Sequence, residues 1–137
     1  MEYLDKKGYI IHDVNFRCRY GEIDIVASEG DALCFIEVKT RSSFKYGSPC
    51  QAVDREKIVH LRRCAWIYIR TKGYVQQGGR LVKKAGRQHC STGNGKPSWH
   101  VRGLASQSYS TMRIEIVEVI YNEDKFFIRH LKDVGRG

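Results

Sequence analysis

The most informative segment of the sequence is residues 33–39, which read Leu33-Cys34-Phe35-Ile36-Glu37-Val38-Lys39. The first four residues are apolar on both alternating faces, which is typical of a strand in the interior of a sheet. Glu37 and Lys39 interrupt this apolar run. Because a charge on a central strand is costly unless a site requires it, these two residues are the first candidates for function.

The segments that precede residues 33–39 predict further strands of the same sheet. Residues 2–7 are typical of a short helix, and residues 10–16 and 22–27 have the apolar pattern of two strands. Residues 29–31 are Glu-Gly-Asp, which favours a turn. The segment 33–39 should therefore fold back antiparallel on the second strand and complete a three-stranded meander.

The segments that follow predict a long helix and a closing hairpin. Ser48, Pro49 and Gln51 have the form of an N-cap, a proline in the first turn and a capping box, so a helix should begin there and end at Gly73. Residues 112–131 predict two strands that turn at Asn-Glu-Asp. Strands and a helix in this order predict an α/β fold with a mixed β-sheet flanked by helices.

The positive charge is concentrated in one part of the chain. The 24 Lys and Arg residues exceed the 15 Asp and Glu residues, which gives a net charge of +9. Residues 70–112 contain eight basic residues and no acidic residue. This distribution favours a polyanionic partner such as nucleic acid and disfavours a small acidic substrate as the whole explanation.

The length of 137 residues fits a single domain. Within it, residues 73–111 contain seven glycines and no acidic residue, which predicts a basic, structureless insertion. The sequence contains no apolar run near the ~18 residues that a membrane-spanning helix needs. The polar N-terminus does not resemble a signal peptide, so we expect a cytoplasmic protein that does not contact membranes.

Two acidic residues and a lysine carry the clearest chemical signal. A turn at residues 29–31 brings Asp24 close to Glu37 on the neighbouring strand. Glu37 and Lys39 share one face, and the Val38 carbonyl lies near the same edge. Two carboxylates and a carbonyl are hard oxygen ligands suited to Mg²⁺ or Mn²⁺. Lys39 would then steady an attacking water or the charge that develops on phosphorus.

The residues alone also allow a simpler interpretation. Acids and a lysine on a strand often form only a solvated face or a weak surface ion pair. Two interpretations also apply to Glu22, because it could assist the metal or be an ordinary acid at the start of a strand. The pattern by itself leaves both interpretations open.

Several basic residues are candidates for contacts with a DNA backbone. Arg17 and Arg19 alternate along the first strand, Arg41 ends the third, and Arg55 and Lys57 lie on the long helix. Phosphate contacts of this kind give binding that does not depend on sequence and weakens with salt. Simple solvation of these side chains is the alternative.

Ordered motifs along the chain resemble the YraN-like family. The resemblance covers residues 1–70 through the motifs Gly8-Tyr9-Ile10-Ile11, Asn15-Phe16-Arg17-Cys18-Arg19, Gly21-Glu22-Ile23-Asp24-Ile25-Val26, Phe35-Ile36-Glu37-Val38-Lys39-Thr40-Arg41-Ser42 and Ala52-Val53-Asp54 to Lys57. Residues 113–117 and 128–130 resemble the closing hairpin of the family.

That family is similar to the PD-(D/E)XK nuclease superfamily and to archaeal Holliday-junction resolvases. The resemblance implies a restriction-endonuclease-like core in which Asp24 and Glu37 are metal ligands and Lys39 is the catalytic lysine. It also implies that Gln51 contacts a phosphate or the substrate. The family pattern begins with a longer helix that bears a glutamate, so in this sequence either Glu22 substitutes in part or the site is incomplete.

The expected function is that of a Mg²⁺- or Mn²⁺-dependent endodeoxyribonuclease that hydrolyses phosphodiester bonds in DNA, with branched or damaged DNA as the expected substrate. The alternative is a non-catalytic nucleic-acid-binding protein with a degenerate or truncated nuclease site. The branch-cleaving relatives act as dimers, so a homodimer would suit a symmetric substrate.

Overall fold

The computed structural model describes residues 1–42, 54–84, 107–122 and 125–135. Over these residues the chain forms two helices and eight strands. In chain order they are α1 (Glu2–Lys6), β1 (Ile10–Cys18), β2 (Gly21–Glu29), β3 (Ala32–Arg41), α2 (Arg55–Thr71), β4 (Tyr74–Gln77), β5 (Arg80–Lys83), β6 (Ser108–Tyr109), β7 (Thr111–Asn122) and β8 (Lys125–Leu131).

The larger sheet is mixed and has the strand order β1-β2-β3-β7-β8. The pairs β1/β2, β2/β3 and β7/β8 are antiparallel, whereas β3 and β7 pair in parallel from Ala32↔Thr111 to Arg41↔Ile120. β3 therefore lies at the centre, as its apolar sequence predicted. The predicted α/β fold with a mixed sheet, the meander and the closing hairpin are confirmed.

The two helices pack on opposite faces of this sheet. We call one face the α2 face, where Phe35 and Ile114 of the sheet join the core cluster of Leu61, Ala65 and Tyr68 of α2. We call the other the α1 face, where the buried cluster comprises Leu4, Tyr9, Ile25, Ala27, Ala32, Cys34, Ile36 and Val117. Because successive residues of a strand point to opposite faces, each strand divides its side chains between these two environments.

α2 begins at a different residue from the predicted one. Asp54 is its N-cap, with an extended backbone and a side chain that accepts a hydrogen bond from the Glu56 amide at 3.0 Å. Such a bond satisfies an amide that has no partner within the helix. The predicted start at Ser48 is therefore wrong for this helix, and residues 48–53 lie outside the described residues. The predicted end is confirmed, since Gly73 adopts a φ of +77° just after α2.

Part of the segment 73–111 forms strands, although the sequence predicted a structureless insertion. β4, β5 and β6 form a smaller antiparallel sheet. Its buried side chains Tyr74, Leu81 and Tyr109 join the core on the α2 face. Aromatic burial therefore orders these residues despite the surrounding glycines. Residues 85–106 lie outside the described residues.

Neither helix in the described parts of the chain has the length and apolar character needed to cross a bilayer.

Candidate active site

Asp24 and Glu37 meet where β2 separates from β3. The last pair in the β2/β3 ladder is Ile25↔Ile36, and Asp24 and Glu37 occupy the next positions of the two strands. Here the Val38 amide donates a hydrogen bond to Asp24 Oδ2 at 2.7 Å. The Asp24 carboxylate thus contacts the backbone of β3 next to Glu37, so the structure brings together the two acids that the sequence paired.

Glu37 lies in an unusual environment for a carboxylate. The residue is only 8% exposed, in a strand whose preceding residues are fully buried. Its Oε1 lies 2.9 Å from Nζ of Lys57. Its Oε2 is buried and has no hydrogen-bond partner among the residues that the structure describes. A buried oxygen without a partner costs free energy in the folded protein, so its presence requires an explanation.

Lys57 provides a cation in contact with Glu37. It comes from the first turn of α2, and its hydrogen bond to Glu37 raises its pKa. Burial acts in the opposite direction, and the charges of Glu37, Asp24 and Glu22 add to the increase. The sequence predicted DNA contacts for Lys57, and this stays a prediction. In the structure its ammonium group contacts Glu37.

Lys39 and Val38 continue β3 beyond Glu37. Lys39 is half-buried and lies opposite Glu118 of β7 in the parallel ladder. Val38 is 37% exposed and lies opposite Val117. The alternation of the strand keeps Glu37 and Lys39 on the α2 face, as predicted.

Asp24 and Glu37 are two carboxylates, fewer than the three candidate ligands of a typical protein metal site. In the described segments, no group of three or more His, Cys, Asp or Glu side chains is arranged to hold a metal ion. Two carboxylates nevertheless fit Mg²⁺, which binds one or two carboxylates, retains several waters and takes substrate phosphate as a further ligand. The unpartnered Oε2 of Glu37 supplies an available acceptor at this point.

Most of the other predicted site residues make contacts of their own. Glu22 and Arg17 are exposed and form an ion pair of 3.1 Å with each other. Arg19 lies over the ring of Tyr20, at 4.7 Å from its centroid. Arg55 lines an open cavity on the outer side of α2. Gln51 lies outside the described residues.

Arg41 contacts Glu118, an acid outside the site residues predicted from the sequence. Its Nε donates to Oε1 of Glu118 at 3.1 Å, and Glu118 is completely buried. Arg129 of β8 donates its own Nε to Oε2 of the same carboxylate at 2.5 Å. One signal was present in the sequence, because Glu118 occupies an apolar position in the alternation of β7.

A family comparison covers most of the chain. The model of the family described as "Uncharacterised protein family UPF0102" matches residues 1–119. The chain belongs to UPF0102. UPF0102 is the YraN-like family, so the resemblance seen in the sequence is confirmed.

Individual UPF0102 proteins match about half of the chain. One from Alkaliphilus metalliredigens is 49% identical over 74 residues, which cover 54% of this chain and 65% of the relative. One from Dictyoglomus thermophilum is 46% identical over 72 residues, or 53% and 61% of the two chains. One from Syntrophus aciditrophicus is 47% identical over 70 residues, or 51% and 55%. The matches to these three proteins thus span less than two thirds of their lengths.

Proposed function

We propose that this UPF0102 protein is a Mg²⁺- or Mn²⁺-dependent endonuclease that hydrolyses phosphodiester bonds in DNA. One observation carries the proposal: a buried carboxylate oxygen of Glu37 lacks a partner among the described residues, beside Asp24, at the point where two strands separate. The mixed sheet with a helix on each face supports a restriction-endonuclease-like core. The net charge of +9 supports a nucleic-acid substrate.

Each residue of the centre has a role in this proposal. Asp24, Glu37 and the Val38 carbonyl would hold the cation. When bound, such a cation lowers the pKa of a water ligand and offsets negative charge on the phosphoryl oxygens. Lys39 orients the attacking water from the same face of β3. Lys57 limits the repulsion between the carboxylates through its contact with Glu37.

The ion pair between Lys57 and Glu37 favours a second function. The Lys57 ammonium group already neutralises Glu37 at 2.9 Å, so the centre can exist without a metal ion. A non-catalytic DNA-binding protein would keep this arrangement together with the basic surface. Metal binding and cleavage distinguish this function from the nuclease.

The decisive variant is Glu37→Gln, which keeps the shape of the side chain and removes its charge. We expect cleavage of nicked and branched DNA with Mn²⁺ to fall by more than ~100-fold, because even residues that only support metal ligands contribute 10- to 100-fold. Mn²⁺ binding, followed by electron paramagnetic resonance, should fall as well. DNA binding measured in EDTA should be retained.

Glu2→Gln provides a matched control, since it makes the same chemical change at an exposed residue of α1. This variant should bind Mn²⁺ and cleave DNA as the wild-type protein does. Absence of cleavage by the wild-type protein with Mg²⁺ and Mn²⁺, combined with Mn²⁺ binding that Glu37→Gln does not change, would contradict the nuclease. DNA binding that persists under those conditions would support the non-catalytic function.

A further inference from the structure

Two arginines and a buried glutamate form a cluster beside the proposed metal site. Arg41, Glu118 and Arg129 come from the adjacent strands β3, β7 and β8. Glu118 Oε1 accepts from Arg41 Nε at 3.1 Å, and Oε2 accepts from Arg129 Nε at 2.5 Å. A terminal guanidinium nitrogen of Arg129 also contacts Oε2. We call these three residues the arginine cluster.

Within the arginine cluster, the glutamate is more deeply buried than the two arginines. The Glu118 side chain is 0% exposed, whereas those of Arg41 and Arg129 are 28% and 30% exposed. Two cations and one anion leave a charge of +1. A guanidinium carries five N–H donors, so an arginine that uses one or two of them on a carboxylate retains others. The cluster therefore presents oriented donors and positive charge outward.

Stability alone is a weak explanation for this arrangement. Burying ions has a desolvation cost that can exceed the attraction between them, and apolar residues of similar volume are often equally stable or more so. Glu118 lies between Ile116 and Ile120 on its face of β7, where an apolar residue would suit the packing. A role for the two arginines in binding accounts for the acid that holds them.

The strand register places the cluster next to the proposed metal site. Glu118 lies opposite Lys39 in the β3/β7 ladder and opposite Arg129 in the β7/β8 ladder. Arg41 lies two residues beyond Lys39 on the same face, which corresponds to about 7 Å along a strand. This spacing is comparable to one nucleotide step of a DNA strand that passes over Lys39.

We infer that Arg41 and Arg129 bind a backbone phosphate of DNA that neighbours the scissile phosphate, and that Glu118 positions both guanidinium groups. The inference rests on the proposed function, because it places the reacting phosphate at Glu37 and Lys39. Arginine suits this role, since its planar donors match the oxygens of a phosphate. Contacts of this kind fix the register of DNA without reading its sequence.

The test measures the binding of a fluorescent nicked duplex in EDTA, over about 50 to 200 mM salt. Arg41→Gln and Arg129→Gln should each weaken binding about tenfold, as expected for a charge-assisted hydrogen bond. The double variant should lower the slope of log K against log salt by about one phosphate contact, because both arginines bind the same phosphate. In Mn²⁺-dependent cleavage, both single variants should raise KM more than they lower kcat.

Glu118→Gln separates positioning from simple attraction. It removes a negative charge, so attraction alone predicts tighter DNA binding. Loss of positioning predicts weaker binding, which is the result we expect. Tighter or unchanged binding would overturn the role of Glu118.

Lys132→Gln is the matched control for loss of one positive charge. Lys132 forms an ion pair with Glu29 at 2.6 Å and lies over the ring of Tyr9, which belongs to the α1 face. We expect this variant to bind DNA with the wild-type salt dependence. If the double variant does not fold, the single variants carry the test, because each leaves one arginine on Glu118.

The outcomes distinguish the two proposals. An unchanged salt slope in the arginine variants, with cleavage intact, overturns the phosphate site and leaves the nuclease standing. A reduced slope in a protein that cleaves no DNA supports the phosphate site and contradicts the nuclease.

Discussion

β7 carries two completely buried glutamates, Glu115 and Glu118, which project to opposite faces of the sheet. On the α1 face, Tyr9 Oη donates to Glu115 Oε2 at 2.9 Å, and His130 Nε2 lies 2.9 Å from the same oxygen. On the α2 face, Glu118 is bound by two arginines. The same residue type on one strand thus has two different surroundings.

The partners of Glu115 are the more deeply enclosed. The side chains of His130 and Arg113 are 7% and 20% exposed, compared with 28% and 30% for the two arginines on Glu118. Arg113 also reaches Glu29, which ties β7 to the end of β2. The partners of the buried glutamate on the α1 face are therefore enclosed, whereas the cations that bind Glu118 on the α2 face are more exposed to solvent. The difference teaches that two equally buried acids on one strand can have partners of different accessibility.

The largest expected effect concerns the stability of the groups around Glu115 and Glu118. Glu115→Ala should lower the free energy of unfolding by about 3–5 kcal/mol, because it removes the buried carboxylate shared by Tyr9, Arg113 and His130. Glu118→Ala should lower it by about 1–3 kcal/mol, since its arginines can turn toward water. Urea denaturation followed by circular dichroism measures both values. Equal losses would remove the distinction between the faces.

A pH dependence should sharpen the same comparison. Burial acts to raise the pKa of Glu115, but the hydrogen bonds from His130 and Tyr9 and the charge of Arg113 outweigh it, so this pKa lies below its ordinary value of 4.5. A lowered pKa in the folded state contributes stability that is present above about 4.5 and is lost as the pH falls through the folded value. The charged and titratable groups around this carboxyl are Tyr9, Glu29, Cys34, Arg113, His130 and Lys132.

The measurement is the free energy of unfolding in urea between about pH 3 and pH 6. In the wild-type protein this free energy should fall with decreasing pH more steeply than in Glu115→Gln, by up to about 1.4 kcal/mol per pH unit. Glu29, whose pKa is lowered chiefly by Lys132, contributes to the slope in both proteins. Parallel curves would show that Glu115 is not ionised more readily in the folded state.

The smallest expected effect concerns Lys57 on the α2 face. Lys57→Gln removes the ammonium group that contacts Glu37, so a metal ion no longer competes with an ion pair. Mn²⁺ should bind more tightly, by up to ~5-fold, which corresponds to the ~1 kcal/mol of a partly exposed ion pair. Titration followed by electron paramagnetic resonance measures the change. Weaker Mn²⁺ binding would mean that Lys57 supports the metal rather than competes with it.

The sequence predicted the elements with strong local signals and missed those that depend on packing. A continuous apolar run identified β3, and alternation of apolar and polar residues identified the hairpin of β7 and β8, because each pattern is visible in a single segment. The helix start was misplaced, because Ser48 and Asp54 offer similar capping chemistry. The small sheet was missed, because Tyr74, Leu81 and Tyr109 form one cluster only after the chain has folded.

The candidate site also has one part that the sequence predicted and another part that depends on packing. Asp24 and Glu37 could be paired from the sequence, since a short turn fixes their antiparallel register. The contact between Lys57 and Glu37 could not be predicted in this way, because it depends on where α2 begins and how it crosses the sheet. The arginine cluster likewise requires the parallel pairing of β3 with β7, which joins residues 77 positions apart.

The amino-acid sequence alone determined the mixed α/β core and the proximity of Asp24 to Glu37, because local periodicity and one turn specify them, and its motifs indicated the family by resemblance. Only the tertiary structure decided which cations neutralise the acids and that Oε2 of Glu37 is buried without a hydrogen-bond partner among the described residues. The physical reason is that burial and charge pairing depend on side chains from distant strands, whose positions are set by packing rather than by local sequence.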